Sequence, residues 1–394
     1  MDKKVELTRL YVVAGALAVL LIGFVLGTRS DDLSALVAPV FGARVETGEL
    51  EDESLQAAYK ELKEHYNGKV DDAKLIEGAK QGMVAAVGDP YTMYFTKKDA
   101  EEFNKDLNGD IGGGIGAEIG VRSGQPTVIR TLPDNPAERA GLHAGDVLLG
   151  VNEESADGWD AERAVRAIRG EEGTTVKLTV KRDSETKEFT LTREIVNNPS
   201  VSSDLRGDVG IITLSRFDQE TVSLIRKTVS DLKDRGMKKL VLDMRGNGGG
   251  YLDAAPGVAG MWLKDKLVVS VKANAGGSQK LYSEGDTLLD GMKTAVVVNA
   301  GSASATEIVT AALKHYKVAT IVGEKTFGKG TVQELLPLSN GTLLKVTIKR
   351  WYTPSGGNVD KKGISPDINA GLTQADLDAG SDPQLDKAVE AVNR

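Results

Sequence analysis

The chain has 394 residues, 40% of them hydrophobic and 27% charged, with a net charge of −8. That length allows two or three domains, the balance is that of a globular protein, and acidic charge without a basic block argues against nucleic acid as a partner. The chain holds no cysteine and three histidines, which excludes disulfides, thiolate nucleophiles and cysteine-bound zinc.

The first predicted element is Leu10–Gly27, 18 uncharged and mostly apolar residues behind Lys3, Lys4 and Arg9. As a helix it would span roughly 27 Å, close to the hydrocarbon thickness of a bilayer. The basic flank favours an N-inside orientation. The run is longer than a usual signal h-region and no clear A-x-A site follows, which favours an uncleaved membrane anchor over a signal peptide. Val25-Leu26-Gly27 is the weak cleavage alternative. Either reading puts the rest of the chain outside the cytoplasm, anchored to the membrane or secreted if the N-terminus is cleaved. The run has no polar face, which speaks against a buried core helix.

After this N-terminal segment (1–30), residues 31–111 are expected to form a helical region. Leu55, Tyr59, Leu62 and Tyr66 recur at helical spacing. A second such pattern, Leu75, Ala79, Met83 and Val87, is ended by Gly88-Asp89-Pro90. A third helix starts at Thr96, with Asp99 three residues on as in a capping box, and runs toward Leu107. No catalytic constellation is legible here, so the region reads as a cap, a spacer or an oligomer contact.

From 112 to 196 the pattern changes to short strands and turns. IGGGIGAEIG (111–120) does not fit G-x-G-x-x-G, and no strand–helix unit surrounds it. Its glycines instead let successive N–H groups form a nest for an anion. With a strand following at Ala117–Val121, an extended peptide could add alongside and lodge its terminal carboxylate there. NPAERAGLHAGDVLLGVN (135–152) and the alternating VKLTVKR (176–182) complete the segment. It resembles a PDZ domain, with Gly114, Ile115, Gly116 and Ala117 at the carboxylate-binding loop. The resemblance implies protein or peptide partners with apolar C-terminal tails.

Residues 197–394 alternate strand and helix. DVGIITL (208–214), KKLVLDM (238–244), TAVVVNA (294–300) and VATIVG (318–323) read as buried strands with helices between them. This predicts an α/β unit with both sheet faces covered. VQELLPL (332–338) and TLLKVTIKRWY (342–352) flank Ser339-Asn340-Gly341 as a hairpin. A last helix begins at Asp382-Pro383. The fold class expected is an α/β and α+β multidomain chain.

Chemistry concentrates in NAGSASATE (299–307) and GEKTFGKGTVQ (323–333). A serine nucleophile needs a base. His315 follows Ser304 by about three turns of one predicted helix, roughly 16 Å along the axis and out of reach. His65 and His143 lie in other regions. A lysine can serve when burial or a cationic neighbour leaves it neutral. Lys329 stands between Gly328 and Gly330, beside Phe327 and Val332. Gln333 can orient its amine without adding charge. Lys325 is the rival, and its neighbour Glu324 marks it as half of a surface pair. An acyl-transfer site also needs an oxyanion hole. The N–H of Ala305 is one natural donor, and that of Gly250, at the end of RGNGGG (245–250), is the second. Taken singly, the serine is better read as a helix N-cap, RGNGGG as a tight turn and the lysine segment as a surface loop.

Together, LVLDMRGNGGG (240–250), NAGSASATEI (299–308), VGEKTFGKGTVQ (322–333) and GISPDI (363–368) resemble, in order, the motifs of the C-terminal processing peptidases, or tail-specific proteases. Gly248 stands where bacterial relatives often carry proline. The resemblance implies a crotonase-like catalytic core and a serine endopeptidase; no metal cluster is visible in the sequence, so neither metal nor cofactor is expected. The resemblance also implies Ser304 as nucleophile, Lys329 as base, Gln333 as its orienting partner, and Gly250 and Ala305 as oxyanion donors. Related enzymes are gated by their PDZ domain through an arginine, for which Arg169 in AIRG (167–170) is the match. A non-catalytic PDZ-type scaffold is the competing reading. A homo-oligomer and a regulatory partner protein both stay open.

Overall fold

The computed structural model describes residues 52–394 except 110, 111, 133, 197, 274, 275, 374, 377 and 378. The apolar run 10–27 lies outside the described residues. Among those described, no helix is long and apolar enough to cross a membrane. The described residues divide into two compact units: those up to Met83 with those of Lys272–Ser278, and those of Val84–Val271 with Gln279–Arg394.

The first unit is built on helices α1 (Glu53–His65) and α2 (Asp72–Ala85). Their apolar positions, Leu55, Tyr59 and Leu62 facing Leu75 and Ile76, line a shared groove, as a period of 3.6 dictates. Lys63 pairs with Asp72 at 2.7 Å, and the same carboxylate accepts from the Tyr59 hydroxyl.

The second unit opens with a departure from the expected helical region. Met93–Phe95 forms strand β1, which pairs antiparallel with residues 343–345. Residues that read as the tail of a helical annex are therefore an edge of the large core. Helix α3 (Lys97–Asn108) follows. Its start is fixed by Thr96, whose hydroxyl donates to the Asp99 carboxylate at 2.8 Å and accepts from the Asp99 N–H.

The PDZ-like segment contains β2 (Gly113–Gly114), β3 (Ala117–Arg122), β4 (Gln125–Thr131), α4 (Pro136–Arg139), β5 (Val147–Val151), β6 (Glu154–Ser155), α5 (Ala161–Ile168), β7 (Thr175–Arg182), β8 (Glu185–Thr192) and β9 (Glu194–Ile195). Its main sheet runs β3-β4-β5-β7-β8, so β3 lies at an open edge. Val176, Leu178 and Val180 are buried on one face of β7, the period-two pattern that fixes register.

Asp146, fully buried, anchors this segment by accepting two hydrogen bonds from Arg182, at 2.6 and 2.7 Å, and one from the His143 N–H at 2.8 Å. Burial pushes its carboxyl up, but these bonds and the nearby positive charge outweigh burial and hold it below the usual carboxylate range. A depressed folded-state value means the stabilisation is present above about pH 4, the unfolded value. It is lost as pH falls through the lower folded value. Asp146→Asn is expected to destabilise the segment by ~3 kcal/mol at pH 7, because Arg182 is left beside a neutral group. Thermal unfolding should show the gap to wild type narrowing toward acid pH; an unchanged gap would count against the pair.

The larger core carries β10 (Val201–Arg206), β11 (Val209–Leu214), α6 (Thr221–Asp234), β12 (Lys239–Asp243), α7 (Ala254–Ala259), β13 (Leu267–Ala273), β14 (Ser278–Tyr282), β15 (Thr294–Val298), α8 (Ala305–His315), β16 (Thr320–Gly323), β17 (Thr331–Pro337), β18 (Leu343–Tyr352), β19 (Ile368–Asn369) and α9 (Pro383–Asn393). Six strands form one sheet in the order β10-β11-β12-β15-β16-β19. All its pairings are parallel except β10 with β11. Leu240, Leu242, Val296 and Val298 face the layer that includes α6, α7 and α8. The alternate residues Val241, Ala295 and Val297 face Leu385, Ala388 and Val392 of α9. Burial on both faces explains why these strands read as continuous apolar runs. A second sheet runs β1-β18-β13-β14, with β17 also paired to β18.

Candidate active site

Strands β12, β15 and β16 are consecutive and parallel in the sheet. The segments 244–250, 299–304 and 324–330 therefore leave its same, C-terminal edge, where ligands bind in open α/β sheets. The first two are stitched together. Asn247 O accepts from the Ala303 N–H and the Thr306 hydroxyl, both at 2.9 Å, and the Gly246 N–H donates to Asn299 Oδ1 at 2.8 Å. Ser302 is fully buried, with its hydroxyl donating to Met244 O and accepting from the Asn299 N–H. It has no free hydroxyl for chemistry.

Ser304 is half-buried at the turn from β15 into α8, with φ +58° and ψ −119°. A non-glycine residue at this φ is strained by roughly 1–3 kcal/mol and persists only where its surroundings enforce it. The enforcement is visible: a Cβ on Gly249 would lie 2.7 Å from Ser304 Cβ and 2.9 Å from Ala305 N. One on Gly250 would lie 2.0 Å from Phe217 O. Only glycines let this loop run so close to the serine turn. Phe217 holds the loop in place, its N–H donating to Gly249 O at 2.9 Å and its carbonyl accepting from the Tyr251 N–H at 2.8 Å. Neither the Gly250 nor the Ala305 N–H has a hydrogen-bond partner among the described residues.

Lys329 is half-buried on the third segment. Its backbone is tied down by Trp351 Nε1, which donates to Lys329 O at 2.7 Å. Burial first, then the positive charge of Lys345, push its amine below the ordinary lysine value; Glu307 and Asp89 pull the other way. The amine lies 5.3 Å from the centroid of the Tyr91 ring. Among the described residues no direct hydrogen bond joins Ser304 and Lys329. Both line one cleft of about 640 Å³, along with Gly248, Gly249, Gly250 and Gln333. The Gln333 amide nitrogen donates to the Thr331 and Thr347 hydroxyls at 2.9 and 3.1 Å. Its carbonyl oxygen has no partner among the described residues. Lys325 is exposed.

Glu307, the last residue of NAGSASATE, is fully buried and ties the serine to the lysine. One carboxylate oxygen accepts from the Ser304 and Lys329 N–H groups at 3.0 and 2.9 Å. The other accepts from the Thr326 hydroxyl at 2.6 Å and the Gly328 N–H at 2.8 Å. The spacing Ser304-x-x-Glu307 is a capping-box signature that could have exposed part of this role. The reach to residues 326–329 has no local signal. Phe103 and Lys345 also line the cleft and Tyr91 lies against the Lys329 amine; no motif marks the three, and Tyr91 and Phe103 come from a distant stretch of chain. A second, half-buried network holds the start of RGNGGG: Arg245 donates to Asp243 at 2.6 Å, Asp382 at 2.8 Å and Gln384 at 3.1 Å.

Gly114, Ile115, Gly116 and Ala117 lie elsewhere, in a groove of about 290 Å³ between β3 and α5. Ile119, Leu132, Val165 and Ile168 supply its apolar walls, and Arg169 lies at its rim, just past the end of α5. The groove runs along the open edge strand, as strand addition requires. For metals, Glu61, Glu64 and His65 on α1 have ligand atoms within 4.8 Å of one another, but all three are exposed, and His65 is already 3.2 Å from Glu61.

Residues 208–370 match the model of peptidase family S41, 105–181 the PDZ domain, and 39–99 the activating protease CtpB N-terminal domain. The chain is 36% identical over 322 residues to a Staphylococcus haemolyticus protein named "Probable CtpA-like serine protease", covering 81% of this chain and 65% of that relative. A Staphylococcus aureus protein of the same name is 38% identical over 317 residues, with 80% and 64% covered. The chain thus spans just under two thirds of the length of these relatives. The structure of the photosystem II D1 C-terminal processing protease aligns with a TM-score of 0.50 at 28% identity, over 81% of this chain and 87% of that one. A peptidase family S41 domain and a PDZ domain in one chain are what the ordered motifs led us to expect, and in joining the two the chain is similar to the C-terminal processing peptidases.

Proposed function

We propose that this protein is a serine endopeptidase of the C-terminal processing type, with a crotonase-like catalytic core. The β3–α5 groove binds the apolar C-terminal tail of a protein substrate, and the catalytic cleft cuts a peptide bond of the same molecule. In this reading the apolar run 10–27 anchors the enzyme, and cleavage takes place outside the cytoplasm.

The Ser304 hydroxyl attacks the scissile carbonyl carbon while its proton passes to the neutral Lys329 amine. Gln333 turns that amine toward the serine through its free carbonyl oxygen. The developing oxyanion accepts hydrogen bonds from the Gly250 and Ala305 N–H groups, where fixed donors stabilise the transition state most. Lys329 then gives its proton to the leaving amine, and the C–N bond breaks to leave an ester on Ser304. A water, deprotonated by the same lysine, hydrolyses the ester and restores the serine. The observation that carries the reading is a strained serine sharing one cleft with a lysine whose amine burial drives toward neutrality.

The test uses proteins that differ only in their last three residues, incubated with wild type and with Ser304→Ala. Wild type should degrade those with apolar tails and spare those ending in charged residues. Ser304→Ala should bind the same tails and cut none. Cleavage by Ser304→Ala, or cleavage blind to the tail, would sink the reading. Tail binding by wild type without cleavage would leave the non-catalytic scaffold.

A further inference from the structure

Lys345, within the hairpin strand 342–352, belongs to none of the four catalytic-core motifs, yet it lines the catalytic cleft. It sits on β18 opposite Leu335 of β17, two residues from Thr347, which lies opposite Gln333. Side chains two apart on a strand share a face. Lys345 and Gln333 therefore project from the same face of this ribbon, the face that carries the Gln333–Thr347 bond. Among the described residues the Lys345 ammonium makes no ion pair and no hydrogen bond. It lies 5.5 Å from the Phe95 ring centroid and 5.2 Å from that of Phe103, two rings stacked at 4.9 Å.

A half-buried cation without a counter-ion in a site that needs a neutral lysine calls for an explanation. Aromatic faces favour the charged form of an amine resting on them. Lys345 has two such faces, Lys329 has one. Two ammonium groups in one low-dielectric cleft repel, and the less supported one releases its proton first.

Arg216, the other cation lining the cleft, is paired with Asp218 at 3.0 Å. Asp89, on the turn before β1, is hydrogen-bonded to Thr92 and the Tyr91 N–H, and it favours the charged form of both lysines. Glu307 favours the charged form of Lys329, but four hydrogen bonds already compensate its carboxylate. Asp360 is paired with Arg350 at 3.2 Å. Glu334 lines the cleft but is exposed, where solvent screens it. Burial pushes the Lys345 amine down as well, and Asp89 favours its charged form; repulsion between the two lysines is mutual, so the two rings on Lys345 against the one on Lys329 decide which keeps its proton.

We propose that Lys345 is a positioning residue for the proton, a cation held on Phe95 and Phe103 whose field keeps the Lys329 amine in its free-base form. An adjacent cation is a known way to activate a lysine. The inference rests on the reading of Lys329 as the base.

The test is the pH dependence of kcat/KM for wild type, Lys345→Met and Lys345→Arg on one apolar-tailed substrate with no acidic residue near the cut. Without the cation, Lys329 should hold its proton to higher pH. The acid limb of Lys345→Met should therefore move upward by roughly one pH unit, as expected for a unit charge in a half-buried cleft. Lys345→Arg should keep the wild-type limb. As a second measurement, free in solution of any turnover, the acylation of Lys329 by acetic anhydride is followed by mass spectrometry in the Ser304→Ala background. Its pH midpoint should rise by the same amount when Lys345→Met or Lys345→Gln is added. An unmoved limb and midpoint, or an equal shift in Lys345→Arg, overturns the proposal. So does a Lys345→Met defect confined to substrates with Asp or Glu near the cut, which would make Lys345 a substrate-recognising cation. Full activity of Lys329→Met is the separate result that would remove the base itself.

Discussion

Ser304→Ala, Lys329→Met and the double variant are all expected to fall to the same residual activity, a loss on the order of a thousandfold or more in kcat. The three should coincide because nucleophile and base act as one unit. A serine without its base is not ionised at neutral pH, and a base without the serine has no proton to accept. Lys329→Met keeps the length and apolar stem of the side chain, so its loss reports the amine alone. Lys329→Arg should be no better, since a guanidinium stays protonated in any protein site. Tail binding should survive in every variant, because the β3–α5 groove is lined by other residues. Single-turnover assays on one tailed substrate, with tail affinity measured alongside, check the prediction. Activity in Lys329→Met above the Ser304→Ala floor would show that another group takes the proton.

What the sequence revealed of this site follows from how each residue reaches it. The serine and glycine turns were legible because close approach leaves a local mark. Gly249 and Gly250 cannot carry a Cβ against Ser304 and Phe217, and the chain shows this as RGNGGG. The parallel strands were legible as apolar runs because both faces of their sheet are covered. Strand β1 was not, since three residues, Met93–Phe95, are too few to show a period. Its pairing with β18, some 250 positions away, is what carries the Tyr91–Phe103 stretch into the cleft. For the same reason a segment that read as a bland annex supplies the rings under both lysines. The Arg245 network is equally long-range: Asp382 caps α9 as its sequence predicts, but its second role, holding the arginine at the start of RGNGGG, joins residues 137 apart.

Glu307→Gln is expected to lower kcat on the order of a hundredfold while leaving KM and tail affinity close to wild type. The carboxylate gives four acceptor contacts, split between the nucleophile turn and the lysine segment. An amide of the same shape has one oxygen and an NH2 group. Whichever way it turns, its NH2 faces two donors: the Ser304 and Lys329 N–H groups, or the Thr326 hydroxyl and Gly328 N–H. The Thr326 hydroxyl can turn to accept but an N–H cannot, so one or two donors lose their partner, at about 1–3 kcal/mol each, and a catalytic group that shifts by about 1 Å can lose a hundredfold in rate. The electrostatic effect has the opposite sign. Glu307 favours the protonated form of Lys329, so removing its charge should by itself free the base and move the acid limb of kcat/KM downward. A variant that is slower at every pH while its acid limb moves down would separate the two, and would show that Glu307 acts by geometry against its own charge. A Glu307→Gln enzyme faster than wild type at low pH would mean that charge outweighs position in this cleft.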